Sequence, residues 1–288
     1  MALLRSHVLK RRPVAPGGLA PWAQLALFWA LGVAGWAIVA LVALHADHSL
    51  RQSALITGYA LLALMLALGL FNLKKRLVAL PLGTARAWMS AHLVLGAVSL
   101  PLYLQHAGGF WPGGFYERAL AACFYTAMLS GAAGYVLERL LPRRLAHLEG
   151  EVIYERIPSE IFALRERVEA LVVKAVQDAG SDTLGRYYLE SLHWFFQRPR
   201  FFRGHAFGSG RSARWIRGHV SALRRYLNEG ERRALDELES LAFRKNLLDA
   251  HFALQSVLKL WLFVHIPAAT LLIALAFWHL LVLNIYSL

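Results

Sequence analysis

The chain of 288 residues contains one cysteine, Cys123, which lies within an apolar run. A single cysteine excludes an intrachain disulfide, an iron–sulfur cluster held by four cysteines and the C-x-x-C-H attachment of a c-type haem. Free cysteine behaves as a small hydrophobic residue, so we expect Cys123 to be buried and to have no chemical role.

Acidic residues are scarce, with 18 Asp and Glu against 31 Lys and Arg, and the formal net charge is +13. The stretch from Arg139 to Lys259 holds 21 of the basic residues and 15 of the acidic ones. Outside it the chain is strongly apolar, and the whole sequence is 57% hydrophobic with a mean hydropathy of +0.43. This composition predicts a membrane part interrupted by one basic polar part. It does not indicate nucleic-acid binding, because cytoplasmic segments of membrane proteins collect Lys and Arg.

The apolar segments are long enough for five transmembrane helices, since a helix needs about 20 apolar residues to cross a membrane. The predicted spans are Trp22–Leu44, Ala54–Leu73, Ala87–Leu104, Ala119–Leu137 and Leu260–Tyr286. Linkers are expected at Pro13–Gly18, Lys74–Arg86 and Gly108–Gly114. The sequence therefore predicts an all-α integral membrane bundle of five helices, with a helical cytoplasmic insertion between the fourth and fifth. The corresponding domains are residues 1–139, 140–258 and 259–288.

The distribution of positive charge predicts the orientation of these spans. Four basic residues precede the first span, and four more lie between Lys74 and Arg86. The first connection has only Arg51, the third only Arg118, and no basic residue follows Leu260. We expect a multi-pass protein of the inner (cytoplasmic) membrane, with the N-terminus and the basic domain cytoplasmic and the C-terminus outside. The third and fifth spans then run in the same direction.

Two of the predicted spans contain histidine pairs of identical spacing. His92 and His106 lie in or just beyond the third span, and His265 and His279 lie in the fifth, each pair 14 positions apart. In an α-helix 14 residues rise about 21 Å and end within about 40° of whole turns, so each pair lies on one face near opposite membrane surfaces. In parallel helices His92 would be level with His265, and His106 with His279. Each level would then offer two imidazoles, the axial ligands that a haem iron takes from opposite sides.

Histidines in a membrane span can also have simpler roles. A single one often forms a hydrogen bond between helices, and one haem instead of two would use one of the two levels. A non-haem metal site needs three or four ligands close together, whereas these histidines are divided between two levels. Arg86 and Lys259, six residues before His92 and His265, could bind haem propionates or could be ordinary positive anchors. We expect His45 and His48 to be interfacial and His251 to lie on a cytoplasmic helix.

The paired H-x13-H helices resemble those of dihaem cytochromes b, both the respiratory type and the ferric-reductase-like transmembrane type. The resemblance covers Ala87–His106 and Trp261–His279. It implies two haem b groups with His92, His106, His265 and His279 as axial ligands, and electron transfer between the membrane faces. The stretch KNLLDAHFALQSVLKLWLFVHIP is also similar to cytochrome b-like subunits that accompany iron–sulfur and multihaem proteins. The flavin or NADPH-binding domain of oxidase-type ferric reductases and the quinol-site motif of respiratory cytochrome b are missing.

The polar stretch of residues 140–258 has a helical pattern throughout. Ile161, Leu164, Val168 and Val172 recur at helical spacing, and Ser159 is a candidate N-cap before them. Another helix is expected to start near Ser181 and Asp182, and Glu231–Lys259 to continue into the fifth span. The loop at 197–215 is not a P-loop, because its first glycine is replaced by a histidine and no strand precedes it. Six arginines in this loop and just after it could face an acidic redox protein or anionic lipid, or be ordinary solvated surface: Arg198, Arg200, Arg203, Arg211, Arg214 and Arg217.

These observations predict a dihaem b-type cytochrome subunit, part of a larger complex, that carries electrons across the membrane. The donor or acceptor would be a quinol pool or a cytoplasmic redox partner on one side and an extracytoplasmic acceptor on the other. No catalytic nucleophile or acid–base pair is identified in the chain, so an electron-transfer subunit is favoured over a self-sufficient enzyme. The alternatives are a haem-free scaffold or channel whose basic domain recruits a partner, and a self-sufficient quinol-dependent reductase.

Overall fold

The computed structural model describes residues 20–48, 53–76 and 84–286, and within these ranges every regular element is helical. The predicted all-α fold is therefore confirmed. The N-terminal charges and the linker Pro13–Gly18 lie outside the described residues, as do residues 77–83 of the second connection. The helices are α1 Pro21–His48, α2 Ser53–Arg76, α3 Ala85–Ala107, α4 Phe115–Ala146, α5 Ile157–Ala179, α6 Thr183–Tyr187, α7 His193–Gln197, α8 Phe202–Ala206, α9 Arg211–Leu223 and α10 Glu229–Tyr286.

Among the described residues, α1, α2, α3, α4 and α10 have the length and apolar composition of membrane-spanning helices. They contain all five predicted spans, so the multi-pass character that the sequence predicted is supported.

The bounds of α3 follow from local chemistry. The Thr84 hydroxyl accepts a hydrogen bond from the Ala87 N–H at 3.2 Å, and Gly108 ends the helix at a φ of 68°. A side-chain acceptor at the start and a left-handed glycine at the end satisfy backbone groups that the helix itself leaves unpaired.

The chain divides into two compact units, which are Met1–Gly131 with Pro267–Leu288, and Ala132–Ile266. The predicted domain boundaries near residues 139 and 259 lie where the chain is expected to leave the membrane, and they stay predictions. The first unit contains α1, α2, α3 and the adjoining parts of α4 and α10. Its small core holds Leu61, Met65, Leu102, Tyr103, Ala121, Phe124 and Leu272. The Tyr103 ring stacks on Phe124 with ring centres 4.3 Å apart.

The second unit has a large apolar core in which the helical stripe predicted from sequence is buried. Ile161, Leu164, Val168 and Val172 all lie in this core. Phe195 of α7 and several residues of α9 and α10 belong to the same core. The N-cap predicted at Ser159 is wrong, because α5 already begins at Ile157 and its N-cap is Arg156. Pro158 occupies the first turn, where backbone N–H groups have no partner within the helix, so the missing N–H of proline costs no hydrogen bond. The Ser159 hydroxyl donates a hydrogen bond to the Arg156 carbonyl at 2.8 Å.

Other local predictions for the second unit are confirmed. Asp182 is the N-cap of α6, which starts at Thr183. The polar helix predicted at Glu231–Lys259 runs without a break into the fifth span, because α10 is one helix from Glu229 to Tyr286. The helical turn of residues 188–192 is a π-helix between α6 and α7. The insertion is therefore helical, as the periodicity of its apolar residues predicted.

A buried ion pair lies inside the second unit. The Lys245 ammonium donates to Asp249 at 2.6 Å and to the Arg198 carbonyl at 2.8 Å, and both charged side chains are fully buried. The same ammonium lies 4.4 Å from the centre of the Phe195 ring. Burial lowers the pKa of Lys245 and raises the pKa of Asp249, while the attraction between the two charges opposes both shifts.

Candidate functional site

The structure brings His106 of α3 and His279 of α10 together within the first unit. Their ring centres are 6.4 Å apart and their ring planes are nearly perpendicular, at 88°. The two residues are far apart in the sequence, and the H-x13-H spacing had predicted that they would meet. Both lie on helices that are apolar enough to cross a membrane, where an ionisable side chain is costly and usually functional.

The ring of His106 is oriented by α2. Its Nδ1 atom lies 3.1 Å from the Ala54 carbonyl oxygen and 3.2 Å from the Thr57 hydroxyl. A carbonyl oxygen can only accept a hydrogen bond, so Nδ1 must carry the proton that is donated to Ala54. In a neutral imidazole the other nitrogen, Nε2, then carries the lone pair. Metal-binding histidines are commonly held in this way, with one nitrogen bonded to a backbone carbonyl and the other directed at the metal.

Gly58 allows the imidazole of His106 to approach α2 closely. A Cβ atom added at Gly58 would lie 2.9 Å from the Cε1 atom of His106, which is closer than carbon atoms pack in proteins. The ring is rigid and its Nδ1 atom is tied to Ala54, so it could not give way without losing that hydrogen bond. Glycine at position 58 therefore leaves the space that the imidazole of His106 occupies.

His279 is held from another side by α4. The Tyr116 ring is nearly parallel to the imidazole, at 18°, with the ring centres 5.9 Å apart. The Tyr116 hydroxyl donates a hydrogen bond to the Leu275 carbonyl, one turn before His279 on α10. This bond fixes the Tyr116 ring against α10, and the ring in turn restricts the rotation of His279.

The separation of the two imidazoles is compatible with two readings. Ring centres 6.4 Å apart at 88° are typical of an edge-to-face contact between two aromatic rings. The distance is also close to the roughly 6.2 Å expected for two imidazoles that bind one metal ion from opposite sides, with metal–nitrogen bonds of about 2.0 Å. Among the described residues no group of three or more His, Cys, Asp or Glu side chains could hold a metal ion. That finding does not bear on haem, whose porphyrin supplies four ligands and leaves two for the protein.

The other two predicted ligands, His92 and His265, belong to different units. In the first unit, the His92 ring of α3 lies 5.0 Å from the ring of Phe71 on α2, at an angle of 46°. In the second unit, the His265 ring stacks on Trp261, one turn earlier on α10, at 5.8 Å and 24°. The Trp261 ring itself lies against Gly134 of α4, where an added Cβ would overlap it. The pairing of His92 with His265 stays a prediction.

The two basic residues expected near the propionates have different surroundings. The side chain of Arg86 is exposed near the start of α3. Lys259 donates to the Glu155 carboxylate at 2.6 Å, and its ammonium lies 3.9 Å from the centre of the Tyr154 ring. The hydrogen bond from Lys259 is the main cause that lowers the pKa of Glu155. Lys259 thus already has an anionic neighbour in the second unit, and the propionate role of both residues stays a prediction.

The other histidines considered from sequence are His45, His48 and His251. His45 is exposed near the end of α1, and the side chain of His48 lies outside the described residues. His251 lies on α10 in the second unit and is 3% exposed. Burial lowers its pKa, opposed by the carbonyls of Glu149 and Gly150. It stands 14 positions before His265, which continues the spacing of the fifth span.

Sequence reasoning missed the residues that orient the histidines. Thr57 and Gly58 lie about 50 positions before His106, and Tyr116 lies on another helix from His279, so no local pattern connects them. No family model matches the chain, and no curated protein or solved structure is similar to it. The resemblance to dihaem cytochromes b therefore rests on the histidine positions, and a function has to be argued from the residues themselves.

Proposed function

We propose that the protein is a dihaem b-type cytochrome subunit that carries electrons across a membrane. The observation that supports this function best is the His106–His279 pair, whose ring centres are 6.4 Å apart within a unit of apolar helices. One imidazole has its Nδ1 proton engaged by a backbone carbonyl, which leaves Nε2 as a ligand atom.

The chain's own residues account for binding and orientation. His106 and His279 would hold one haem b, and His92 and His265 the other. Haem supplies the one-electron redox chemistry when it is bound. The Ala54 carbonyl keeps the proton of His106 on Nδ1, and a hydrogen bond of this kind raises the basicity of the opposite nitrogen. Tyr116 restricts His279, and the apolar helices around both residues exclude water.

The wider placement of the protein is part of the same proposal. The subunit would lie in the inner membrane with its N-terminus and basic domain in the cytoplasm and its C-terminus outside. Arg86 and Lys259 would approach the propionates of the haem near the cytoplasmic side. A quinol pool or a cytoplasmic redox protein would exchange electrons on one side, and an iron–sulfur or multihaem partner on the other. The subunit would then belong to a larger oxidoreductase complex, with no catalytic residue of its own.

A reduced-minus-oxidised visible spectrum of the purified chain tests this proposal, with haem counted per polypeptide. We expect the absorption of b-type haem and two haems per chain. His279→Ala should remove one haem and leave the other, because only His106 would remain to hold the first, whereas His92 and His265 would still hold the second. His265→Ala should also remove one haem, and the double variant should retain none.

The outcomes of this experiment separate the proposal from its alternative. Absence of haem from the wild-type chain, expressed with an adequate haem supply, would reject the proposal and favour the scaffold or channel. Retention of both haems by His279→Ala would reject the ligand assignment. His147→Ala is the matched control, since His147 is exposed and is not one of the four proposed ligands. This variant should keep two haems.

A further inference from the structure

The second unit has a groove with an unusually basic lining. Its volume is about 560 Å³. It lies between the end of α9, the turn that follows it and the first turns of α10. The lining residues are Arg217, Val220, Ser221, Arg224, Arg225, Arg232 and Glu239.

The basic side chains converge because of helical spacing. Arg217, Ser221 and Arg224 follow one another at intervals of four and three residues, so they share one face of the helical turns from α9 onward. Arg232 and Glu239, seven residues apart, share a face of α10 in the same way. Four guanidinium groups and one carboxylate therefore surround this groove, which gives its lining a net charge of +3 at neutral pH.

Some of these arginines are already held in place. Arg224 forms an ion pair with Asp236, and the Arg217 guanidinium lies 5.9 Å from the centre of the Phe243 ring. Of the ion pairs that the described residues form, Arg224–Asp236 is the one that uses a guanidinium of this groove. Within the described part of the chain, the positive charges of Arg225 and Arg232 are thus not neutralised by an ion pair.

The composition of the lining restricts the ligand. Val220 is its one apolar residue, and no aromatic side chain among the described residues lines it, so the groove lacks the stacking surface that a nucleobase or single-stranded nucleic acid uses. Its volume is in the range of small-molecule sites, roughly 300–1,000 Å³. Guanidinium groups bind phosphate oxygens in pairs, and several of them together match a compact group with several negative charges.

We propose that this groove binds a compact ligand with two or more phosphate groups, either a free polyphosphate or the headgroup of a phospholipid. Arg225 and Arg232 would make the principal contacts, while Arg217 and Arg224 complete the positive surface. The inference does not depend on haem, because every residue involved lies in the second unit and none is a proposed ligand.

Titration calorimetry of the full chain in neutral detergent tests this inference, with inorganic pyrophosphate as the first probe and cardiolipin in mixed micelles as the second. The test variant is Arg225→Ser with Arg232→Ser. The matched control is Arg211→Ser with Arg233→Ser, which removes the same charge from exposed positions outside the groove. We expect the test variant to bind about 100-fold more weakly and the control to bind within about threefold of wild type, since each charged hydrogen bond contributes strongly.

The outcomes distinguish the sources of phosphate. Saturable binding of pyrophosphate that only the test variant loses supports a free polyphosphate ligand. Binding of cardiolipin alone, with the same dependence on Arg225 and Arg232, supports a lipid headgroup. Equal weakening in both double variants would show a diffuse attraction to positive charge and overturn the inference. A result in which neither probe binds would also overturn it. Circular dichroism of both variants verifies that they remain folded.

Discussion

The two units distribute apolar and polar residues in opposite ways. In the first unit large apolar side chains face outward, as with Leu31, Ile38 and Leu41 on α1, each more than 60% exposed. Its partly buried polar contacts include the one between Thr57 and His106. In the second unit large apolar side chains such as Phe195 and Ile157 are fully buried, and most charged residues are exposed. The exceptions among the described residues are Glu231 and the pair formed by Lys245 and Asp249.

This difference shows which forces hold each unit together. Burial of apolar surface drives the folding of a unit in water, but it contributes little between helices in lipid, where the surroundings are equally apolar. The first unit therefore depends on close helix approach and on hydrogen bonds such as that of His106. At Gly32, for example, an added Cβ atom would collide with Val94. The second unit depends on its core and on satisfying the few charges inside it. Substitutions that act on one of these contributions at a time should therefore affect the two units differently.

The largest effect is expected from Lys245→Met, which leaves the Asp249 carboxylate buried without its partner. Removing one member of a buried ion pair costs about 3–5 kcal/mol of unfolding free energy. The added change Asp249→Leu should recover most of this loss, since the uncompensated charge is then gone. Chemical denaturation of the detergent-solubilised chain, followed by circular dichroism, measures both variants.

The control for this prediction is an exposed pair with the same sequence spacing. Arg186 donates to Asp182 at 2.8 Å, and both side chains are 68% exposed. Arg186→Ala should leave the free energy of unfolding close to that of the wild type, because solvent screens such pairs. Similar losses for Arg186→Ala and Lys245→Met would contradict the view that burial makes the difference.

An intermediate effect is expected from Gly58→Ala in the first unit. The added methyl group would lie 2.9 Å from His106, and overpacking of this kind costs about 1–3 kcal/mol. We also expect the variant to lose much of one haem, because the imidazole must move away from its hydrogen bond. Haem content per polypeptide and thermal unfolding measure the two effects.

Gly35→Ala is the matched control on α1. Among the described residues no atom lies within 4 Å of a Cβ added at Gly35. This variant should keep two haems and wild-type stability. Equal haem contents in Gly58→Ala and the wild type would show that the close approach of α2 does not orient the ligand.

The smallest effect concerns pH and His205 in the second unit. Burial, and secondarily the charge of Lys245, lower the pKa of His205 from 6.5 to about 4. The unfolded chain then binds more protons than the folded chain between these values. Stability from this residue is present above about pH 6.5 and is lost as the pH falls towards about 4. Allowing for partial solvent screening, the loss is about 1.5 kcal/mol.

His205→Gln removes the titrating group and should reduce this sensitivity to acid. The measurement is the difference in thermal unfolding temperature between about pH 7.5 and about pH 4.5, compared with wild type. His147→Gln, an exposed histidine of the same unit, should keep the wild-type difference. An unchanged acid sensitivity in His205→Gln would contradict the expected role of its burial.

Much of the fold could be predicted because hydrophobic length and helical spacing are local properties. Each predicted span lies within one long helix, and the stripe of Ile161, Leu164 and Val168 is buried. The start of α5 could not be predicted from Ser159 alone, since Pro158 fits inside a first turn as well as before one. The buried partner of Lys245 is four residues away, but only the tertiary core determines that both are buried.

The candidate site was predictable to a smaller extent. The spacing of His106 and His279 within their own helices indicated one shared level, and the two rings do meet. The contacts of His106 with Ala54, Thr57 and Gly58 depend on how α2 packs against α3, which no periodicity within either helix determines. Among the six arginines from Arg198 to Arg217, Arg200 is not ordinary surface, because its guanidinium lies 4.7 Å from the centre of the Trp194 ring.

Phe201 shows how one backbone angle limits the sequence changes open to this protein. It has a φ of 55°, a left-handed conformation that costs a residue with a side chain roughly 1–2 kcal/mol. Its ring lies 6.4 Å from those of Trp194 and Phe195 and 5.8 Å from Trp215. Glycine would relax the backbone but leave a hole among these rings. Alanine would leave the same hole and keep the strained backbone. In evolving relatives we expect either an aromatic residue at this position, or glycine accompanied by a bulkier neighbour that fills the space.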